Sequence, residues 1–240
     1  LAPELRPTLS LLAWIWLILA PGAGLAEYLL GAERARLLCF GACAGIALGH
    51  RWRRPLARGG RSFYATTGHV LAGLLAGLAL LPTIAGAVAN AGQGLGLSPL
   101  PVASASPGAS GPETLLATLA LAPIFEEIVY RERLLGCLVG RIGALAALLV
   151  ADLAFALPHA SSWSLLGSAS AGIVLGAIRL ASHSTPLCMG VHAGMNLGLE
   201  IAFSGPVGPP PIPLLGWLSG GALLLGIALL EERRLEGSPP

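Results

Sequence analysis

The chain has 240 residues, 55% of them hydrophobic and only 11% charged, with a net charge of +2 and a mean hydropathy of +0.77. A soluble domain carries about a quarter charged residues, so this composition argues against a water-soluble globule and for a polytopic membrane protein. All fourteen cationic residues are arginine; with Ala, Gly and Leu abundant, this points to a GC-rich bacterial gene.

A helix needs roughly twenty apolar residues to cross hydrocarbon, fewer when its polar ends snorkel. The first candidate is Leu9–Ala20, closed by Pro21-Gly22. With Gly24-Leu25-Ala26 behind it, this segment has the outline of a signal peptide. Its basic flank is the lone Arg6, however, so the helix is expected to be retained. The second candidate, Leu37–Leu48, is short and runs into a cluster made by Arg51, Arg53, Arg54, Arg58 and Arg61. That cluster lies between two hydrophobic segments, so the positive-inside rule accounts for it and nucleic-acid binding is not expected. The third is Val70–Ala89, followed by a Gly/Pro/Ser-rich loop from Asn90 to Pro112.

The remaining segments are Thr114 to about Val139, Ile142–Leu157, Trp163–Leu180, Leu187–Phe203 and Ile212–Leu230. The fold class is therefore all-α, a transmembrane bundle of about eight helices. One integrated membrane domain is expected, in which residues 112–203 form a core between N-terminal helices (1–111) and a last helix with its tail (204–240). Placing the Arg51–Arg61 loop in the cytoplasm puts both termini there, with twelve arginines inside and two, Arg34 and Arg36, outside. Cys39, Cys43, Cys137 and Cys188 lie in apolar surroundings without a CxxC spacing, which reads as small buried hydrophobes.

Chemistry concentrates in the fourth, fifth and seventh segments. Glu126 and Glu127 interrupt an apolar run from Leu115 to Val129. Hydrocarbon charges several kcal/mol for an unpaired ionised group, so acids at such depth are rare and functional. Arg131 follows Glu127 by one turn and can neutralise it. Glu126 lies about 100° further round the helix, free to face a cavity. Downstream come Phe155-x-x-x-His159 and His192-x-x-x-Asn196. Singly, each polar residue reads equally well as glue between helices. Jointly they supply a base, proton carriers and an amide donor, which is a hydrolytic set. A hairpin turning near Gly140 brings Glu126 and His159 to similar depth on antiparallel neighbours. Asp152, seven residues before His159, shares its face; His50, His69 and His183 sit at segment edges.

Glu126-Glu127-x-x-x-Arg131, then Phe155-x-x-x-His159, then His192-x-x-x-Asn196 resembles the CPBP family of intramembrane proteases, which holds the type II CAAX prenyl proteases and the bacteriocin-processing (Abi) proteins. The resemblance covers roughly Pro112–Glu200. It implies a glutamate-dependent endopeptidase in which Glu126 activates water with help from His159. His192 and Asn196 would stabilise the oxyanion, and Glu127 with Arg131 would brace the site. Tyr130 and Glu132 depart from the family, which often has Phe and Gly there. No metal is expected; zinc is the alternative, although His-Glu-x-x-His is missing. The expected partners are a protein or peptide substrate, cut near a membrane-proximal or C-terminal segment, and membrane lipid. The competing reading is a non-catalytic immunity factor, scaffold or transporter-like protein that binds through the same cluster. The expected location is a bacterial cytoplasmic membrane.

Overall fold

The computed structural model describes residues 7, 8, 10–13, 23–53, 63–97, 111–159 and 162–204. The expected helix Leu9–Ala20 falls largely outside these residues, and Ile212–Leu230 and the C-terminal tail fall wholly outside. Among the described residues all regular structure is helical and no strand occurs.

The helices are α1 (Ala23–Leu30), α2 (Ala32–Arg53), α3 (Phe63–Gly94), α4 (112–142), α5 (Ala144–Ala156), α6 (Ser162–Ser182) and α7 (Thr185–Ser204). α4 is one continuous helix, since every junction residue within it keeps right-handed helical φ and ψ. Two stretches of it, Ala117–Leu121 and Glu127–Leu135, are wound in the wider π form.

Most helices overrun the apolar segments that announce them. α2 begins five residues before Leu37 and continues to Arg53, so Arg51 and Arg53 belong to a helix rather than a loop. α3 extends to Gly94, five residues into the expected loop, and carries Pro82 in its interior. The hairpin between α4 and α5, expected near Gly140, turns at Gly143. Gly143 has φ of 81°, a left-handed value that a residue without Cβ adopts freely. α1 was not expected at all; it stops at Gly31, which has φ of 83°.

Packing follows the distribution of small residues. α3 lies along α7 with Gly73 and Gly77 set against Gly190 and Gly194. A Cβ on any of the four would run into backbone atoms of the facing helix. Such glycine-spaced faces let two helices touch backbone to backbone, which in lipid replaces the missing hydrophobic drive with van der Waals contact. α4 is the central helix. Its Phe125, Ile128, Val129, Tyr130, Leu134 and Leu135 pack with Cys43, Ala44 and Ala47 of α2 and with Ala147, Ala151 and Phe155 of α5. A second cluster joins Ala76 of α3, Leu175 of α6, and Cys188, Val191 and Met195 of α7.

Among the described residues, long stretches of the outer surface are apolar. Leu145, Leu149 and Leu153 form a one-turn-spaced stripe along α5, each more than half exposed. Leu71 and Leu75 do the same on α3. Two spans, Thr67–Gly94 and Ser164–Ser182, are long and apolar enough to cross a membrane, and most of their residues are not buried against protein. Exposed leucine stripes of this kind need lipid, or another apolar cover, to be tolerated.

Candidate active site

The first polar group to place is Arg131, which is 2% exposed. Its Nε lies 3.6 Å from Glu127 Oε2, the one-turn pair that the sequence indicates. Nη2 donates to the Gly172 carbonyl of α6 at 3.3 Å. The guanidinium sits over the Phe155 ring of α5, 4.1 Å from its centroid. A buried cation is thus met by a carboxylate, a carbonyl and an aromatic face, the combination that a planar guanidinium accepts best.

His192 stands between the two glutamates. Its Nδ1 is 3.0 Å from Glu127 Oε1, and its Nε2 is 3.4 Å from Glu126 Oε2. Each ring nitrogen therefore faces a carboxylate oxygen, and the shorter contact, at Nδ1, is to the buried Glu127. Glu127 is fully buried while Glu126 keeps some exposure, which separates a bracing acid from an accessible one.

The π winding of α4 contributes to this convergence. Glu126 is the last residue of an α turn and Glu127 opens a nine-residue π stretch, all of it buried. A π turn resets the angular spacing of side chains, and such turns recur at functional sites. Glu126, Glu127 and Arg131 all reach the interior from this one helix.

Phe155 is the ring on which the site residues meet. His192 contacts it edge-on at 5.8 Å and His159 lies tilted on it at 5.4 Å. Tyr130 adds a T-shaped contact at 5.6 Å. His159 lies just beyond α5, where its N–H donates to the Ala156 carbonyl at 2.9 Å. It joins the cluster through Phe155. Asn196, one turn after His192, donates from Nδ2 to the Thr118 carbonyl of α4 at 2.8 Å.

Several contacts go beyond the sequence reading. Asp152 is buried at 7% exposure and is pressed against Gly172, where any side chain would overlap its carboxylate. Asp152 and Arg131 therefore share Gly172. Arg51 of α2 pairs with the buried Glu132 at 3.2 Å, and Arg133 approaches the same carboxylate at 3.9 Å. Arg131 and Arg133, counted above as cytoplasmic turn residues, are buried inside α4 and mark no membrane face. Thr118 was missed, although a polar residue five positions before Pro123 in an apolar run is a visible signal.

For a metal, both His192 nitrogens are turned to carboxylates. Among the described residues no three His, Cys, Asp or Glu side chains form a metal-holding group. Cys39, Cys43 and Cys188 are buried, Cys137 is half-buried, and none of the four is in a disulfide.

The described residues thus combine helices with apolar outer faces and a buried Glu–His–Glu–Arg cluster. Residues 110–198 match the family model described as type II CAAX prenyl endopeptidase Rce1-like, which places this segment in the CPBP family. That is a membrane-embedded family of proteases acting on protein or peptide substrates. No curated protein and no solved structure matches the chain.

Proposed function

We propose that this protein is a glutamate-dependent intramembrane endopeptidase. The observation that carries the proposal is the Glu126–His192–Glu127–Arg131 chain of contacts at 3.4, 3.0 and 3.6 Å, one accessible carboxylate backed by a closed charge network. Charge neutralisation of this quality lets ionised groups persist where water is scarce.

In this reading Glu126 takes a proton from a water molecule held with the help of His159. The water oxygen bonds to the scissile carbonyl carbon, whose oxygen becomes the oxyanion. His192 Nε2–H and the Asn196 amide donate to that oxyanion, and such preorganised donors are worth several kcal/mol in a dry site. The C–N bond then breaks, and the proton held by Glu126 passes to the leaving nitrogen. Glu127 fixes the imidazole through Nδ1, and Arg131 balances Glu127. The depth fits as well. α5 has 13 residues and is about 20 Å long, shorter than a hydrocarbon layer of about 30 Å, which supports a site within the layer rather than at its far face.

The substrate is a protein or peptide cleaved near a membrane-proximal or C-terminal segment. The membrane is a bacterial cytoplasmic one, with both chain termini on the cytoplasmic side. In this reading the Glu126 carboxylate activates the water and no metal takes part. The test is Glu126→Gln, which keeps shape and removes the base. Membranes carrying this variant should accumulate an uncleaved protein, and cleavage of a peptide spanning that bond should fall at least about a thousandfold. Wild-type cleavage by the variant refutes the role of Glu126. Loss of wild-type activity on chelation, restored only by zinc, refutes the metal-free reading.

A further inference from the structure

The contact between Asn196 and Thr118 depends on a hydrogen bond that α4 does not make. In an α-helix the Thr118 carbonyl would take the N–H of Ala122. Here Ala122 N–H goes to the Ala117 carbonyl, in the i→i+5 register of the π turn. In that register the partner of Thr118 is residue 123, and residue 123 is proline, which has no N–H. An undistorted α-helix would leave Leu119 without a donor at this proline instead. The π turn moves the missing bond by one residue, to the carbonyl that faces Asn196.

We infer that Pro123 and the π turn before it form a positioning device, which frees the Thr118 carbonyl to hold the Asn196 amide in one orientation. The carbonyl is an acceptor only, so the group facing it is the NH2 and the amide cannot flip. One N–H of Nδ2 is spent on Thr118 and the other is directed by it. Pro123 and Thr118 touch no reacting atom; they act through Asn196. The inference rests on the proposed role of Asn196 as oxyanion donor, but the hydrogen bond itself can be tested without any substrate.

The chain contains only two asparagines, Asn90 and Asn196. Selective ¹⁵N-Asn labelling of the full chain in nanodiscs therefore gives two side-chain NH2 signals, which Asn196→Gln assigns. In the wild type, one Asn196 proton should be shifted downfield and exchange slowly. Pro123→Ala supplies the missing N–H and lets Thr118 close a helical bond, so that signal should move toward the values of a solvated amide. Replacing Pro123 with lactic acid, the hydroxy-acid analogue of alanine, gives the same side chain without the N–H and should restore the wild-type signal. On the peptide whose cleavage Glu126→Gln abolishes, Pro123→Ala should lower kcat about tenfold to a hundredfold at unchanged KM. It should cause no further loss in an Asn196→Ala background.

An Asn196 signal unaltered by Pro123→Ala overturns the inference, and so does a released amide with unchanged kcat. Normal cleavage by Glu126→Gln, with the NMR pattern as expected, sinks the peptidase reading and leaves the hydrogen-bond device standing.

Discussion

The α3–α7 contact makes a quantitative claim about Gly77. A Cβ placed there would lie 2.8 Å from both the Met195 nitrogen and the Val191 carbonyl carbon, and closer still to the Val191 oxygen. Ordinary contact begins at 3.4 Å, so Gly77→Ala forces the two backbones apart by at least about 0.6 Å. Backbone atoms cannot swing away as a side chain would, so α7 must shift as a body. His192 directly follows Val191, and Asn196 directly follows Met195. Both donors then leave their positions opposite Glu126 and Thr118. Overpacking of this kind costs about 1–3 kcal/mol, and a misplacement approaching 1 Å costs up to about a hundredfold in rate. Gly77→Ala should thus lower the unfolding midpoint in detergent and reduce peptide cleavage about tenfold to a hundredfold. Gly86, on the same helix with nothing within 4 Å of its would-be Cβ, is the control. Gly86→Ala should be neutral or stabilising by up to about 1 kcal/mol through helix propensity alone. If Gly77→Ala keeps wild-type stability and activity, the close backbone approach does not exist and the reasoning fails.

Arg131→Ala strands Glu127 in a buried site and should destabilise the fold by about 3–5 kcal/mol in denaturant titration. Arg131→Lys should recover only part of this, because an ammonium cannot serve Glu127, the Gly172 carbonyl and the Phe155 face together. Gly172→Ala drives a methyl into the Asp152 carboxylate and the Phe155 ring, and should destabilise as well. Adding Asp152→Ala should relieve part of that cost, so the two substitutions will not be additive; strict additivity in a double-mutant cycle would disprove the contact.

Much of the candidate site was legible in the sequence because each member is a polar residue in an apolar run, where it has few neutral explanations. Glu127–Arg131 was readable from one-turn spacing, and the pairing is present. The helical class was readable from composition, but helix ends were not. An apolar segment measures the hydrocarbon it crosses, whereas a helix continues through polar residues such as Glu33, Arg34 and Arg51. The π turns of α4 were invisible because they follow from a shift in hydrogen-bond register, which side-chain periodicity does not report. Arg131 and Arg133 misled the charge count for a related reason. A rule about loop cations does not see that a cation inside a helix can be a buried counter-charge. The Glu132 departure from the family pattern gains meaning only from Arg51, eighty-one positions earlier.

That Arg51–Glu132 contact bears on how the molecule could be divided. The family match begins at residue 110, yet α2 supplies the partner of a buried acid in α4 and three side chains of its main core. α3 likewise provides the glycine face on which α7 is seated. A fragment starting near residue 110 would bare Glu132 and release α7, so it would not stand as a module. The stretch that carries the motifs is a boundary of resemblance and has no matching seam in the packing.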